Sequence, residues 1–174
     1  MSAYFVLPAG PSDAPAIARV HIASWRETYK GLLPAAFLAA MSQQVHERRW
    51  RVALKEPGPD DVILIAEGAD GIVGYCAAGP SRFRNPGEAE IATLYVLQKA
   101  QGEGLGRRLV QDAARALAAH DAKSLVISVL EDNTRARAFY EHIGGSADEP
   151  RADRGPGGLV YEVDYRWPDI RTLV

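Results

Sequence analysis

The sequence predicts an α/β protein, a mixed central sheet with helices on both faces, three layers in all. Three observations carry that class. Two apolar, partly β-branched runs, residues 62–67 and 72–78, are joined by Gly68-Ala69-Asp70-Gly71, a loop short enough for a hairpin. A longer run over residues 88–97 leads into a glycine-rich stretch that opens an apolar-periodic helix. A further apolar run, residues 124–130, and another helix from about Asn133 to Ile143 then follow, and strand, helix, strand, helix is the order of a layered sheet.

The elements can be justified in chain order. Residues 4–7 form a short strand ended by Pro8, Gly10 and Pro11, and Ser12 or Asp13 caps a helix in which Ile17, His21, Trp25 and Thr28 recur at helical spacing until Gly31. A second helical region starts at Pro34, takes apolar contacts from Phe37, Leu38 and Met41, and continues over residues 46–54 until Pro57-Gly58-Pro59 breaks it. Residues 82–87 are a polar loop. The helix after the glycines keeps Leu105, Leu109, Ala113, Ala116 and Leu117 on one stripe, with Arg107, Gln111 and Arg115 on its polar face. Residues 124–130, short and nearly all apolar, read as a strand buried on both faces, and the next helix stops at Gly144-Gly145. Residues 148–158, with Pro150, Pro156 and three glycines, read as a loose loop. The last strand alternates Leu159, Tyr161, Val163, Tyr165 and Trp167 against Val160, Glu162, Asp164 and Arg166. The expectation is about seven strands in one domain over residues 1–174.

A chain of 174 residues buries roughly 70% of its unfolded surface in a single core. Its 47% hydrophobic content and formal charge of −2 describe an ordinary globule, with no basic excess to make nucleic acid the main partner. Cys76 is the single cysteine, no basic segment followed by a long apolar one opens the chain, and no run is long enough for a bilayer. A cytoplasmic protein without membrane partners is expected. The four histidines and Cys76 show no metal-ligand spacing, so no metal is expected either.

The stretch Gln101-Gly102-Glu103-Gly104-Leu105-Gly106-Arg107-Arg108 is the most specific signal. Alternate glycines let the backbone turn tightly and present bare amides at a helix N-terminus, where the dipole favours an anion. Arg107 and Arg108 are misplaced in a first helical turn unless something negative sits there. Two phosphate motifs fail the letters: no Lys-Ser or Lys-Thr follows for a P-loop, and Arg107 stands where a dinucleotide fingerprint needs its third glycine. What the letters match is Q-x-x-G-x-G, through Gln101, Gly104 and Gly106, directly after Glu90-Ile91-Ala92-Thr93-Leu94-Tyr95-Val96. This resembles the central motif of the GNAT superfamily of N-acetyltransferases. A second block, from Leu130-Glu131-Asp132-Asn133 to Phe139-Tyr140-Glu141, resembles the later strand-to-helix segment of the same family.

The resemblance implies a GNAT fold whose sheet is splayed between its fourth and fifth strands, and an enzyme that uses acetyl-coenzyme A as acyl donor. It implies that Gln101, Gly102, Gly104, Leu105, Gly106 and Arg107 bind the pyrophosphate, that the backbone of Leu94, Tyr95 and Val96 pairs with the pantetheine arm, and that Asn133 and Tyr140 line the cofactor. Tyr140 matches the tyrosine that protonates the departing thiolate; read from spacing alone it is a core residue on a stripe with Ala136 and Ile143. Glu90 stands where many members carry a general base. Apolar neighbours such as Ile91 would raise such a carboxylate toward the working range, while Glu88, on the same face, is a competing base and candidate substrate contact. Asn133 is also a plausible N-cap, a role compatible with a cofactor contact.

The acceptor side is less legible. Trp25 and Tyr29 share a helix margin with His21, a region from which the family often lines its acceptor pocket, although aromatics at that spacing are more often core. Arg82 and Arg84 are candidates for a substrate carboxylate, or are merely solvated. The expected reaction is transfer of an acetyl group to a primary amine of a small molecule by direct attack in a ternary complex, since no nucleophile motif argues for a covalent intermediate. A non-catalytic acyl-coenzyme A binding module, acetylation of a protein or peptide amine, and a Rossmann-type nucleotide domain are the alternatives, and a homodimer is compatible with the sequence.

Overall fold

The computed structural model describes residues 4–174. Its strands, in chain order, are β1 (Phe5–Pro8), β2 (Val62–Gly68), β3 (Gly71–Pro80), β4 (Glu88–Val96), β5 (Ser124–Leu130), β6 (Ser146–Ala147), β7 (Arg151–Gly155) and β8 (Gly158–Trp167). The helices are α1 (Ala14–Thr28), α2 (Ala35–Ala40), α3 (Gln43–Lys55), α4 (Leu105–Ala119) and α5 (Thr134–His142). The sheet runs β1-β2-β3-β4-β5-β8-β6, with β7 also on β8. All pairs are antiparallel except β4 with β5.

The predicted class holds, with two corrections of detail. The helical region expected from Pro34 to Leu54 is two helices, because Met41 takes an extended ψ of 122° and Ser42 then restarts the chain, its Oγ accepting from the Val45 N–H at 3.4 Å. The segment expected as a loose loop over 148–158 contains β7, paired with β8 from Arg151↔Glu162 to Gly155↔Gly158, so the sheet has eight strands. Arg-Ala-Asp-Arg-Gly has no apolar alternation, and its pairing comes from the neighbouring strand and a two-residue turn at Pro156-Gly157.

Two cores sandwich the sheet. On one face α4 lays Leu105, Leu109, Val110, Ala113 and Leu117 against Leu64, Cys76, Ile91, Leu125 and Ile127, all buried. Each buried Leu, Ile or Val of this set contributes about 1.5–3 kcal/mol by leaving water. On the other face α1 and α3 bring Ala14, Ile17, Val20 and Leu54 onto Ile65, Ile72 and Tyr75.

A bulge in β4 positions the site. Ala77 pairs with Thr93 and Ala78 with Ile91, leaving Ala92 unmatched. Before it, Ala89 and Ile91 face the α4 core; after it, Leu94 and Val96 do, while Tyr95 packs on the α1 side. Pairing of β4 with β5 covers only Glu88↔Ser124, Ala89↔Leu125 and Glu90↔Val126. Beyond that the two parallel strands part.

Candidate active site

The parting of β4 and β5 opens a cleft of about 620 Å³ that runs from the glycine loop to Tyr29 on the far side of the sheet. Its walls are β4 from Ile91 to Val96, the start of α4, residues 127–129 of β5, and the face of α5 carrying Ala136, Phe139, Tyr140 and Ile143. A parallel pair that stops early leaves backbone amides and carbonyls of β4 without strand partners on that edge.

The glycine loop sits at one end. Gly102 and Gly104 have φ of +84° and +75°, and Gly104 is the N-cap of α4. The first amides of this 15-residue helix have no intrahelical acceptor and lie beside the cleft. Gln101 fastens the loop to the strand by donating from Nε2 to the Val96 carbonyl at 2.8 Å. Arg107 lines the cleft, but Arg108 turns away and donates to the Tyr4 carbonyl at 2.8 Å, so only one of the two arginines serves the site. The arrangement fits a diphosphate on the loop with an extended arm along β4.

Asn133 and Tyr140 both line the cleft. Asn133 is buried, caps α5 by accepting from the Ala136 N–H at 3.2 Å, and lines the cleft, so capping and ligand contact coexist. Tyr140 is 6% exposed and lines the cleft, packed by Phe139, Tyr165 and Trp167. Burial pushes its phenol well up, with Tyr29 and Cys76 acting in the same direction. It is therefore both a core residue and a wall residue.

On the α1 side, the Tyr29 and Tyr95 hydroxyls lie 3.0 Å apart. Burial raises the Tyr29 phenol, the Tyr95 hydrogen bond opposes this, and the charge of Glu162 adds to it. Trp25 is not on the cleft wall: it packs against His21, Tyr29, Phe37 and Tyr95, with its indole N–H buried and unpartnered. His21 is buried, with Nδ1 2.5 Å from the Tyr75 hydroxyl, and burial followed by the nearby His46 lowers its pKa to about 4. It is a neutral structural histidine. The tip of the β7–β8 hairpin reaches this side too, so close that a Cβ on Gly157 would lie 2.5 Å from Pro34 Cγ.

Glu88, Glu90 and Arg82 form part of a charged network at the paired end of β4. Glu88 accepts from Ser81 Oγ at 2.8 Å and Asn85 at 3.0 Å, and its other oxygen meets Arg166 at 2.5 Å. Glu90 is buried and held by Arg82, whose Nε is 3.1 Å from Oε1. Neither glutamate lines the cleft. Among residues not singled out from sequence, Glu27, Gln98, Arg135 and His142 line it. Arg135 and His142 had a signal, since they flank the α5 stripe of Ala136, Phe139 and Ile143; Glu27 and Gln98 had none, because their meeting joins α1 to the end of β4 through Glu27 Oε2 and the Gln98 N–H at 3.1 Å. Among the described residues no group of three His, Cys, Asp or Glu could hold a metal ion, and no helix is long and apolar enough to cross a membrane.

A forked sheet with the open N-terminus of α4 at one mouth forms a cleft suited to an extended ligand that carries negative charge at that end. A model of the acetyltransferase (GNAT) family matches residues 22–145, and the chain belongs to that family, whose members are acetyl-coenzyme A-dependent N-acetyltransferases. It is 32% identical over 143 residues to the probable N-acetyltransferase Rv2775 of Mycobacterium tuberculosis, covering 79% of each chain. It is 28% identical over 162 residues to the uncharacterized N-acetyltransferase YuaI of Bacillus subtilis, covering 92% of this chain and 91% of that one. The crystal structure of PaiA N-acetyltransferase from Thermoplasma acidophilum, solved with coenzyme A, superposes with a TM-score of 0.75 at 14% identity, covering 95% of this chain and 99% of that one.

Proposed function

We propose that this chain, as one domain over residues 1–174, transfers an acetyl group from acetyl-coenzyme A to a primary amine of a small molecule by direct attack in a ternary complex. The cleft that passes through the sheet carries this reading, because it joins the glycine loop and Tyr140 to Tyr29 in one continuous space. Bound acetyl-coenzyme A supplies the activated thioester. The amides at the start of α4 hold its diphosphate, the free edge of Leu94, Tyr95 and Val96 aligns its arm, and Asn133 offers a side-chain amide to it. A β4 N–H released by the splay is positioned to stabilise the oxyanion. As the amine attacks as its free base and the C–S bond breaks, its surplus proton passes to water, while the Tyr140 hydroxyl, protonated at neutral pH because its pKa is raised, donates to the departing sulfur and is reprotonated from water.

Two features favour direct attack on a small acceptor. Cys76 is fully buried and its thiol is pushed up to about 12, so it is no nucleophile. The β7–β8 tip abuts Pro34 in the α1–α2 connection, a folded-over hairpin that suits a compact amine better than a polypeptide laid across the surface. The test is turnover by mass shift with matched panels of small amines and peptides. Small amines should be acetylated faster, and Tyr140→Phe should lower kcat about 100-fold, at the lower end of general-acid effects. Binding of coenzyme A without turnover of any amine would make the protein a binding module, and faster peptide acetylation would move the acceptor to proteins.

A further inference from the structure

A side-chain tie crosses the root of the β4–β5 fork. Backbone pairing stops at Glu90 and Val126. From the loop before β4, Arg82 donates its backbone N–H to Glu90 Oε2 at 3.0 Å and sets Nε 3.1 Å from Oε1. The same guanidinium reaches Ser128 Oγ on β5 at 2.9 Å and Glu162 on β8 at 3.5 Å. Ser128 lies beyond the last paired residue of β5, so this contact spans the first step of the gap that the backbone leaves open. Ser128 is itself fixed by donating to Asp164 at 2.6 Å.

The loop that presents Arg82 is clamped as well. The Phe83 N–H donates to Ser81 Oγ at 3.2 Å, and Ser81 Oγ donates to Glu88 at 2.8 Å. Arg84 is held at φ +57°, a left-handed conformation that a non-glycine residue keeps only where its surroundings impose it. A planar guanidinium suits such a junction, since it donates in several fixed directions at once where an ammonium is a single point charge.

We infer that Glu90 is a positioning residue that acts through Arg82: the pair sets the width of the fork at its root, and so the spacing between the free edge of β4 and Tyr140. The inference rests on the acetyl-transfer reading of the cleft and gives Glu90 a task other than proton removal. One Glu90 oxygen accepts from the Arg82 backbone N–H, the other is ion-paired with the Arg82 guanidinium, and Glu90 does not line the cleft.

Arg82→Met, Arg82→Lys, Glu90→Gln and the double variant Glu90→Gln/Arg82→Met test it. The readouts are coenzyme A affinity by calorimetry, amide exchange of residues 91–96 and 127–130 in the free protein, and the pH–rate profile. Arg82→Met and Glu90→Gln should each weaken coenzyme A binding about tenfold, the scale of one charge-assisted bond, and speed exchange in both arms. The pH profiles should stay parallel to the parent's. The double variant should fall within about twofold of the weaker single one, because both changes cut one tie. Arg82→Lys, which can keep Glu90 but cannot also span to Ser128 and Glu162, should recover part of the loss and serves if Arg82→Met does not fold.

Unchanged affinity and exchange in a folded Arg82→Met protein would overturn the inference. So would loss of the acidic limb of the pH profile in Glu90→Gln alone, which would make Glu90 the base. If the parent binds coenzyme A but acetylates no amine, the functional reading fails while the affinity and exchange measurements still decide the tie.

Discussion

The two ends of the cleft are built in different ways. The glycine-loop end, proposed to take the acyl donor, is made of backbone: left-handed glycines, the open amides of α4 and an unpaired edge of β4, contributed largely by residues 91–107. The α1 end, proposed to take the acceptor, is made of side chains from segments far apart in sequence: Glu27 and Tyr29 from α1 meet Tyr95 of β4 and Gln98 beyond it. Backbone sites depend on local conformation and tolerate change in surrounding side chains, whereas a wall of distant side chains can be rebuilt one residue at a time. The same contrast explains why the donor is legible from the family and the acceptor is not.

The contrast can be broken most forcefully at Gly104. Aspartate there meets a φ of +75° and brings negative charge to the anion end of α4, so coenzyme A affinity should fall about 100-fold or more, combining a lost charge-assisted site with backbone strain. Calorimetry on the folded variant decides this, and unchanged affinity would mean the donor end is not the glycine loop.

The acceptor end should respond to pH through its packing. His21 is lowered from 6.5 to about 4 by burial and then by His46, so it stays neutral in the fold while the unfolded chain takes up a proton as pH drops below 6.5. Stability from this group is full above pH 6.5 and is lost progressively down to pH 4, on the order of 3 kcal/mol over that window. His46, also lowered, adds in the same direction. Urea unfolding of His21→Gln across that range should show a flatter pH dependence than the parent, together with lower stability at neutral pH from the lost contact with Tyr75. Coenzyme A affinity at pH 7.5 should stay within about twofold, since this aromatic packing lies away from the donor end.

The smallest effect is expected at the hairpin tip. Gly157 has φ +86° and abuts Pro34, so Gly157→Ala must push the tip off the α1–α2 connection. The acceptor's KM should rise about three- to tenfold with the KM for acetyl-coenzyme A unchanged, the split expected of a contact that shapes one pocket only. A matching rise in both constants would show that the two ends are not separable.

Local pattern decided a good deal of this protein. The stripe of Ile17, His21 and Trp25, the apolar stripe of α4 and the short apolar run of β5 each named their element, because burial on one helical face or on both faces of a strand writes a period into the letters. Gly102 and Gly104 were legible for a related reason, since a left-handed turn at a bare helix terminus restricts residue type at the position itself, while the cofactor role of Gln101, Gly104 and Gly106 came from the family resemblance. Tertiary structure alone decided the rest. β7 is a strand only because β8 lies beside it, and the end of α2 is held by Arg26 of α1, which donates to the Leu38, Ala39 and Met41 carbonyls. Glu90, whose letters suggest a base, has its carboxylate taken up by an arginine eight residues away, and that arginine ends on two further strands. Such partners leave no period and no local conformational demand, since what selects them is the distance between side chains after the chain has folded.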